Sequence, residues 1–162
     1  MFSDRINRIQ PSLTLQMTSK AGELRSKGFD VINLSVGEPD FDTPDFIKEE
    51  AKKAIDDNFS HYTPVPGLPE LRNAIVQKFK RDNNLKYTVD QIVTSTGAKQ
   101  SLANICLSLL DPGDEVLLPC PYWVSYAEII KLAEGVPVEV PSSIDSDFKV
   151  TPKELEAAIT PK

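Results

Sequence analysis

The residues best equipped for chemistry lie in Gln91-Ile-Val-Thr-Ser-Thr-Gly-Ala-Lys-Gln-Ser-Leu102. A short β-branched strand runs into Gly97, and an apolar-periodic helix is expected immediately after it. Glycine permits a bend that a β-carbon resists, and the first amides of a helix have no intrahelical partner. The N–H groups of Ala98 and Lys99 would then face an anion such as phosphate, with the positive end of the helix dipole behind them. Ser95, Thr96 and Ser101 offer hydroxyls nearby. The segment is not a Walker loop, because Ile92 stands five residues before Gly97 and Gln100 follows the lysine. Taken alone, Gly97 has a plainer explanation: a glycine chosen for packing in a strand-to-helix turn.

Further along, Pro121-Tyr-Trp-Val-Ser-Tyr126 places the only tryptophan of the chain on a similar connection. An electron-rich indole can stack on an electron-poor heteroaromatic ring, with Tyr122 and Tyr126 as packing neighbours. A Trp123 buried in a core or interface is the plainer alternative. A phosphate seat and a flat aromatic surface on neighbouring loops together suit a phosphorylated aromatic cofactor. Tyr62 precedes the stiff turn Pro64-Val-Pro-Gly67, so its phenol could donate to a phosphate oxygen at low entropic cost, or simply cover its own loop. Gly37 lies in a turn-rich loop with Glu38 and Pro39, where its N–H could meet a substrate carboxylate. His61 is the only histidine, and no motif supplies partners for a triad or a metal. Lys48-Glu-Glu-Ala-Lys-Lys53 reads as an exposed helix face.

These loops need a scaffold. At 162 residues with a net charge of −6, the chain suits a globular domain and lacks a basic nucleic-acid footprint. No apolar run is long enough to span a membrane, and the polar opening Met1-Phe-Ser-Asp-Arg5 is no signal core. Cys106 and Cys120 have no metal or redox spacing, so a reducing cytoplasm is expected. Helices are expected over Ser12–Lys27, from a Thr43-Pro44 cap to about Asn58, and over Glu70–Asn83. Phe46, Ile47, Ala51 and Ile55 should be buried by the second helix, and Leu71, Ala74, Ile75 and Phe79 by the third. A short strand is expected at Val31–Ser35. Strand Gln91–Ser95, helix Ala98–Leu110, strand Glu115–Pro119, helix Tyr122–Glu134 and strand Val136–Val140 follow, then a helix from Thr151-Pro152 to about Ile159. This alternation implies an α/β fold with a mainly parallel sheet, whose ligands gather at the carboxyl ends of the strands.

Five motifs in order, Ser35-Val-Gly-Glu-Pro-Asp-Phe41, Tyr62-Thr-Pro-Val-Pro-Gly-Leu-Pro-Glu-Leu-Arg72, Thr94-Ser-Thr-Gly-Ala-Lys-Gln100, Leu110-Asp-Pro-Gly-Asp-Glu-Val116 and Pro121-Tyr-Trp-Val-Ser-Tyr126, span nearly the whole chain. Together they closely resemble the class I aminotransferases, pyridoxal-phosphate enzymes of the aspartate aminotransferase fold. The resemblance implies the three-layer fold type I large domain, incomplete, over residues 43–162. Residues 1–42 would form the N-terminal arm and part of a small domain.

By position, the resemblance implies that Gly97, Ala98 and Lys99 hold the phosphate of pyridoxal 5'-phosphate. Trp123 would stack on its ring and border the substrate, and Gly37 would contact the substrate α-carboxylate. Tyr62 would reach the cofactor phosphate of the other subunit in a homodimer. Lys99 fits the Gly-Ala-Lys-Gln subgroup and is not the Schiff-base lysine, which in the family lies beyond this chain's length. The expected activity is exchange of an amino group between an L-amino acid and a 2-oxo acid, by a longer protein of which this is the N-terminal portion. The 162 residues alone should not transaminate. Three alternatives stay open: a carbon–sulfur lyase or related enzyme of the same fold, the ligand-sensing domain of a transcription regulator, and a short non-catalytic protein binding a phosphorylated ligand or a partner chain.

Overall fold

The computed structural model describes residues 2–162; Met1, part of the polar opening, lies outside the described residues. The helices are α1 (Asp4–Asn7), α2 (Leu13–Ser26), α3 (Asp45–Asp56), α4 (Pro69–Asn83), α5 (Ala98–Leu109), α6 (Ser125–Leu132) and α7 (Pro152–Ala158). The strands are β1 (Glu115–Pro119) and β2 (Val136–Val140). The chain divides into two compact units, one comprising the residues up to Gly37 together with Gly97–Lys162, the other Glu38–Thr96.

The first unit is organised by β1 and β2, which pair in parallel from Glu115 opposite Val136 to Pro119 opposite Val140. A parallel pair cannot be closed by a tight hairpin, and α6 provides the crossover. Its Ala127 and Ile130 pack on Leu118 of β1, with Cys106, Leu110, Val116 and Tyr122 around them. Helix α5 also packs on α6, and α7 on β2. The segment after α1 is tied to the same crossover helix. The Arg8 guanidinium pairs with Glu134 at 2.6 Å, and the Gln10 N–H donates to Glu128 at 2.6 Å. Ser12 caps α2 by accepting from the Leu15 N–H, as a hydroxyl at this position should. Thr151 and Glu154 form a reciprocal capping box at α7.

In the second unit, Pro69 opens α4 and Asn84 closes it in the left-handed conformation. The Arg72 Nη1 donates to the Val89 carbonyl at 3.2 Å, fastening α4 to the 3₁₀ turn Val89–Gln91. The Pro64–Gly67 turn approaches the segment before Gly97 closely. A β-carbon on Gly67 would lie 2.1 Å from the Thr94 Oγ1, and the Thr94 N–H donates to the Pro66 carbonyl at 3.0 Å. Gly67 is therefore required by a close approach as well as by its φ of +104°.

Several expectations need correction. Gln91 ends the 3₁₀ turn, and residues 92–95 are in no strand ladder; Ile92 is buried while Val93 is exposed. A strand needs a neighbour, and among the described residues only β1 and β2 pair. Val31–Ser35 is likewise in no ladder. There the Arg25 guanidinium donates to the Val31 carbonyl, and Ile32 and Leu34 point outward at 84% and 91% exposure. Pro44, not Thr43, is the N-cap residue of α3, and no side-chain hydroxyl caps that helix. Phe46, Ile47, Ala51 and Ile55 are exposed, as are Leu71 and Ala74, while Ile75 and Phe79 are half-buried. An apolar stripe records a capacity for burial, and in this unit nothing covers most of it. Helix α6 starts at Ser125, so Tyr122 and Trp123 belong to the loop before it.

Two predictions follow from the first unit. Ile130 is only 3% exposed, and Ile130→Ala should cost about 3 kcal/mol in urea unfolding, the sum of lost transfer and a residual cavity. A cost below about 1 kcal/mol would show that this cluster does not hold the crossover helix. The Tyr122 hydroxyl donates to Glu139 Oε1 at 2.5 Å, and that bond pushes the phenol up to about 12. The native value lies above the ordinary phenol value of about 10, so the contribution to stability is whole below that pH and is lost as pH rises through about 12. Phenolate absorbance of Tyr122→Phe should lack one step near pH 12; a step missing near pH 10 would contradict the bond.

Candidate functional site

Gly97 is the N-cap of α5 with φ +82° and ψ 163°, a region that residues with a β-carbon scarcely enter. The first amides of α5 follow this bend directly. The Gln100 and Ser101 N–H groups return to the Gly97 carbonyl at 3.2 and 3.3 Å. Among the described residues, those of Ala98 and Lys99 have no acceptor, and Gly97 itself has no side chain to cap them. A β-carbon built on Gly97 would meet no atom within 4 Å, so the space in front of the turn is open. Two free donors, a helix N-terminus and open space fit a phosphate group.

The structure brings Lys99 and Trp123 together. The Lys99 ammonium lies 5.7 Å from the Trp123 ring centroid, a cation–π contact between the start of α5 and the loop before α6. Trp123 is 47% exposed among the described residues. Its indole N–H donates to Ser125 Oγ at 2.9 Å, and its carbonyl accepts from the Tyr126 N–H at 2.9 Å. An exposed indole held at both its side chain and its backbone can receive a planar ring. Lys99 also borders an apolar hollow walled by Ile9, Pro11, Leu13, Val124 and Leu132.

Gly37 closes the first run of this unit, and a β-carbon built on it would meet no atom within 4 Å. Tyr62 belongs to the other unit and is fully exposed. The described residues hold no cluster of His, Cys, Asp or Glu able to bind a metal. No helix among them is long and apolar enough to cross a membrane.

Sequence reasoning took Tyr122 only as a packing neighbour of the tryptophan and overlooked Glu139, its hydrogen-bond acceptor. The available signal was one carboxylate in the otherwise apolar strand Val136-Pro-Val-Glu-Val140. It also overlooked the acids of the crossover that hold the segment between α1 and α2. Burial pushes Glu128 up, but the Lys131 ammonium and the Gln10 N–H outweigh it and leave the carboxyl below its ordinary range. The Arg8 hydrogen bond holds Glu134 low in the same way.

Comparison with known proteins identifies the family. The family model for aminotransferase class I and II matches residues 29–162. An aspartate/prephenate aminotransferase of Cereibacter sphaeroides is 54% identical over 99% of this chain and 40% of its own length. One from Nitrosomonas europaea is 49% identical over 99% of this chain and 41% of its own. The chain thus spans about two fifths of the length of these relatives. Among solved structures, the aspartate aminotransferase of Rhizobium meliloti superposes with a TM-score of 0.95 at 45% identity, over 99% of this chain and 40% of that one. The Thermus thermophilus aspartate aminotransferase with maleate gives 0.93 at 43% identity, over 99% and 42%. A motif order read from the sequence, a backbone that superposes over nearly every residue, and a family match over residues 29–162 agree: the chain belongs to the class I and II aminotransferases.

Proposed function

We propose that this chain carries the cofactor cradle of a pyridoxal-phosphate-dependent aminotransferase, which moves an amino group between an L-amino acid and a 2-oxo acid. Enzymes of this family depend on pyridoxal phosphate. The observation that carries the reading is the pair of unpartnered amides after Gly97, with the Trp123 indole beside Lys99. The Ala98 and Lys99 N–H groups would hold the phosphate, and the α5 dipole and the Lys99 charge would favour its anionic form. The Trp123 face would cover the ring and exclude water from it. When bound, the cofactor supplies the carbonyl that exchanges amino groups and the electron-poor ring that stabilises charge at the donor's α-carbon.

The Gly37 N–H would orient the substrate α-carboxylate. Tyr62, fully exposed, has the freedom needed to reach the phosphate held by a second copy, so we infer a homodimer with shared sites. The names of the relatives point to aspartate as amino donor and to prephenate as a partner substrate of the whole enzyme.

Calorimetric titration with pyridoxal phosphate tests the cradle. Trp123→Ala should weaken binding about fivefold through loss of ring stacking. Gly97→Ala should weaken it further, because the bend that aims the amides would cost roughly 1–3 kcal/mol with a β-carbon. Equal affinity in both variants and the parent chain would refute this assignment.

A further inference from the structure

The loop from Cys120 to Val124 has no regular structure, yet it carries an indole with almost half its surface exposed. Burial alone cannot fix such a ring, so its orientation must come from the bonds around it. On the side nearer α6, those bonds are the indole N–H to Ser125 and the Trp123 carbonyl to Tyr126. On the side nearer β1, the backbone is anchored to β2 and the residues just after it. The Cys120 N–H donates to the Val140 carbonyl at 2.9 Å, and the Ser142 hydroxyl donates to the Cys120 carbonyl. The residue next to the tryptophan completes the anchorage. The Tyr122 ring packs on the Leu118, Ala127 and Ile130 cluster, and its hydroxyl reaches Glu139 Oε1 at 2.5 Å.

We propose that Tyr122 and Glu139 are positioning residues that fix Trp123 in the orientation needed to receive a planar cofactor ring. This rests on the reading of Trp123 as the ring-binding face. A charged acceptor makes the hydrogen bond stronger than a neutral one, and a phenol, whose ordinary value is about 10, keeps its proton and donates it to the carboxylate 2.5 Å away. The phenol ring is half-buried and rigid, so fixing its far end to β2 fixes the backbone next to Trp123. Supporting residues of this kind decide whether a binding group is held or merely present. The sequence offers no motif for the pair, because Tyr122 and Glu139 lie seventeen residues apart and meet only through the parallel register of β1 and β2.

Trp123 is the only tryptophan in the chain, so its emission reports its own mobility. Tyr122→Phe keeps the ring and removes the hydroxyl. It should lower the emission anisotropy of Trp123, make the indole easier to quench with acrylamide, and weaken pyridoxal phosphate binding about twofold to fivefold, at most the loss expected for removing the indole itself. Glu139→Ala should reproduce all three changes. Glu139→Gln, whose amide oxygen still accepts, should restore most of the parent behaviour. The urea midpoint separates mobility from unfolding; if Tyr122→Phe does not fold, the contrast between Glu139→Ala and Glu139→Gln decides alone. Parent-like anisotropy and quenching in Tyr122→Phe and Glu139→Ala would overturn the proposal, as would equal losses in Glu139→Ala and Glu139→Gln. Full pyridoxal phosphate affinity in Trp123→Ala would instead overturn the ring-binding reading, while the emission data would still judge the positioning.

Discussion

Everything in the candidate site depends on the parallel pairing of β1 with β2. Because parallel strands need a crossover, the chain must leave β1, travel through α6 and return. The exit from β1 is the loop that holds Trp123, and α6 packs against both the strands and α5. The same crossover therefore sets the indole loop and supports α5, the helix whose first amides are free. Lys99 reaching the Trp123 ring is the visible consequence. If α6 moved on the sheet, both halves of the cradle would separate.

Charge makes the second constraint. A chain of net charge −6 is an unpromising host for a phosphate, so the local field must overcome the overall one. Three acids of this unit, all on or beside the crossover, have specific partners. Glu128 is held by Lys131 and the Gln10 N–H, Glu134 by Arg8, and Glu139 by the Tyr122 hydroxyl. Among the described residues, Lys99 has no carboxylate partner and lies over an indole instead. On the proposed reading, its charge and the α5 N-terminus would serve an anion, while these three carboxylates are engaged elsewhere.

The sequence was legible where a local rule sufficed. The Gly97 turn, the Ser12 cap, the Thr151–Glu154 box and the two strands that pair each follow from residue type and spacing over a few positions. Illegible were the features that depend on distant partners. Residues 92–95 and 31–35 have strand-like composition, but a strand is defined by a neighbour and neither stretch pairs. The stripe of α3 reads as a buried face, yet Phe46 and Ile55 are exposed because periodicity says nothing about what arrives to cover them. Tyr122 and Glu139 belong to the same class, since only the register of β1 on β2 brings them together. Gly97 taken alone is explained most simply by packing; the free amides after it and the neighbouring indole are what support the proposed anion seat.

The central claim is that Ala98 and Lys99 present their amides to a phosphate group. Amide chemical shifts in a titration test it at the atoms concerned. The account predicts that pyridoxal phosphate and inorganic phosphate both shift the Ala98 and Lys99 resonances, whereas pyridoxal without its phosphate leaves them in place. Unmoved amides at saturating pyridoxal phosphate, or equal shifts with pyridoxal alone, would contradict it.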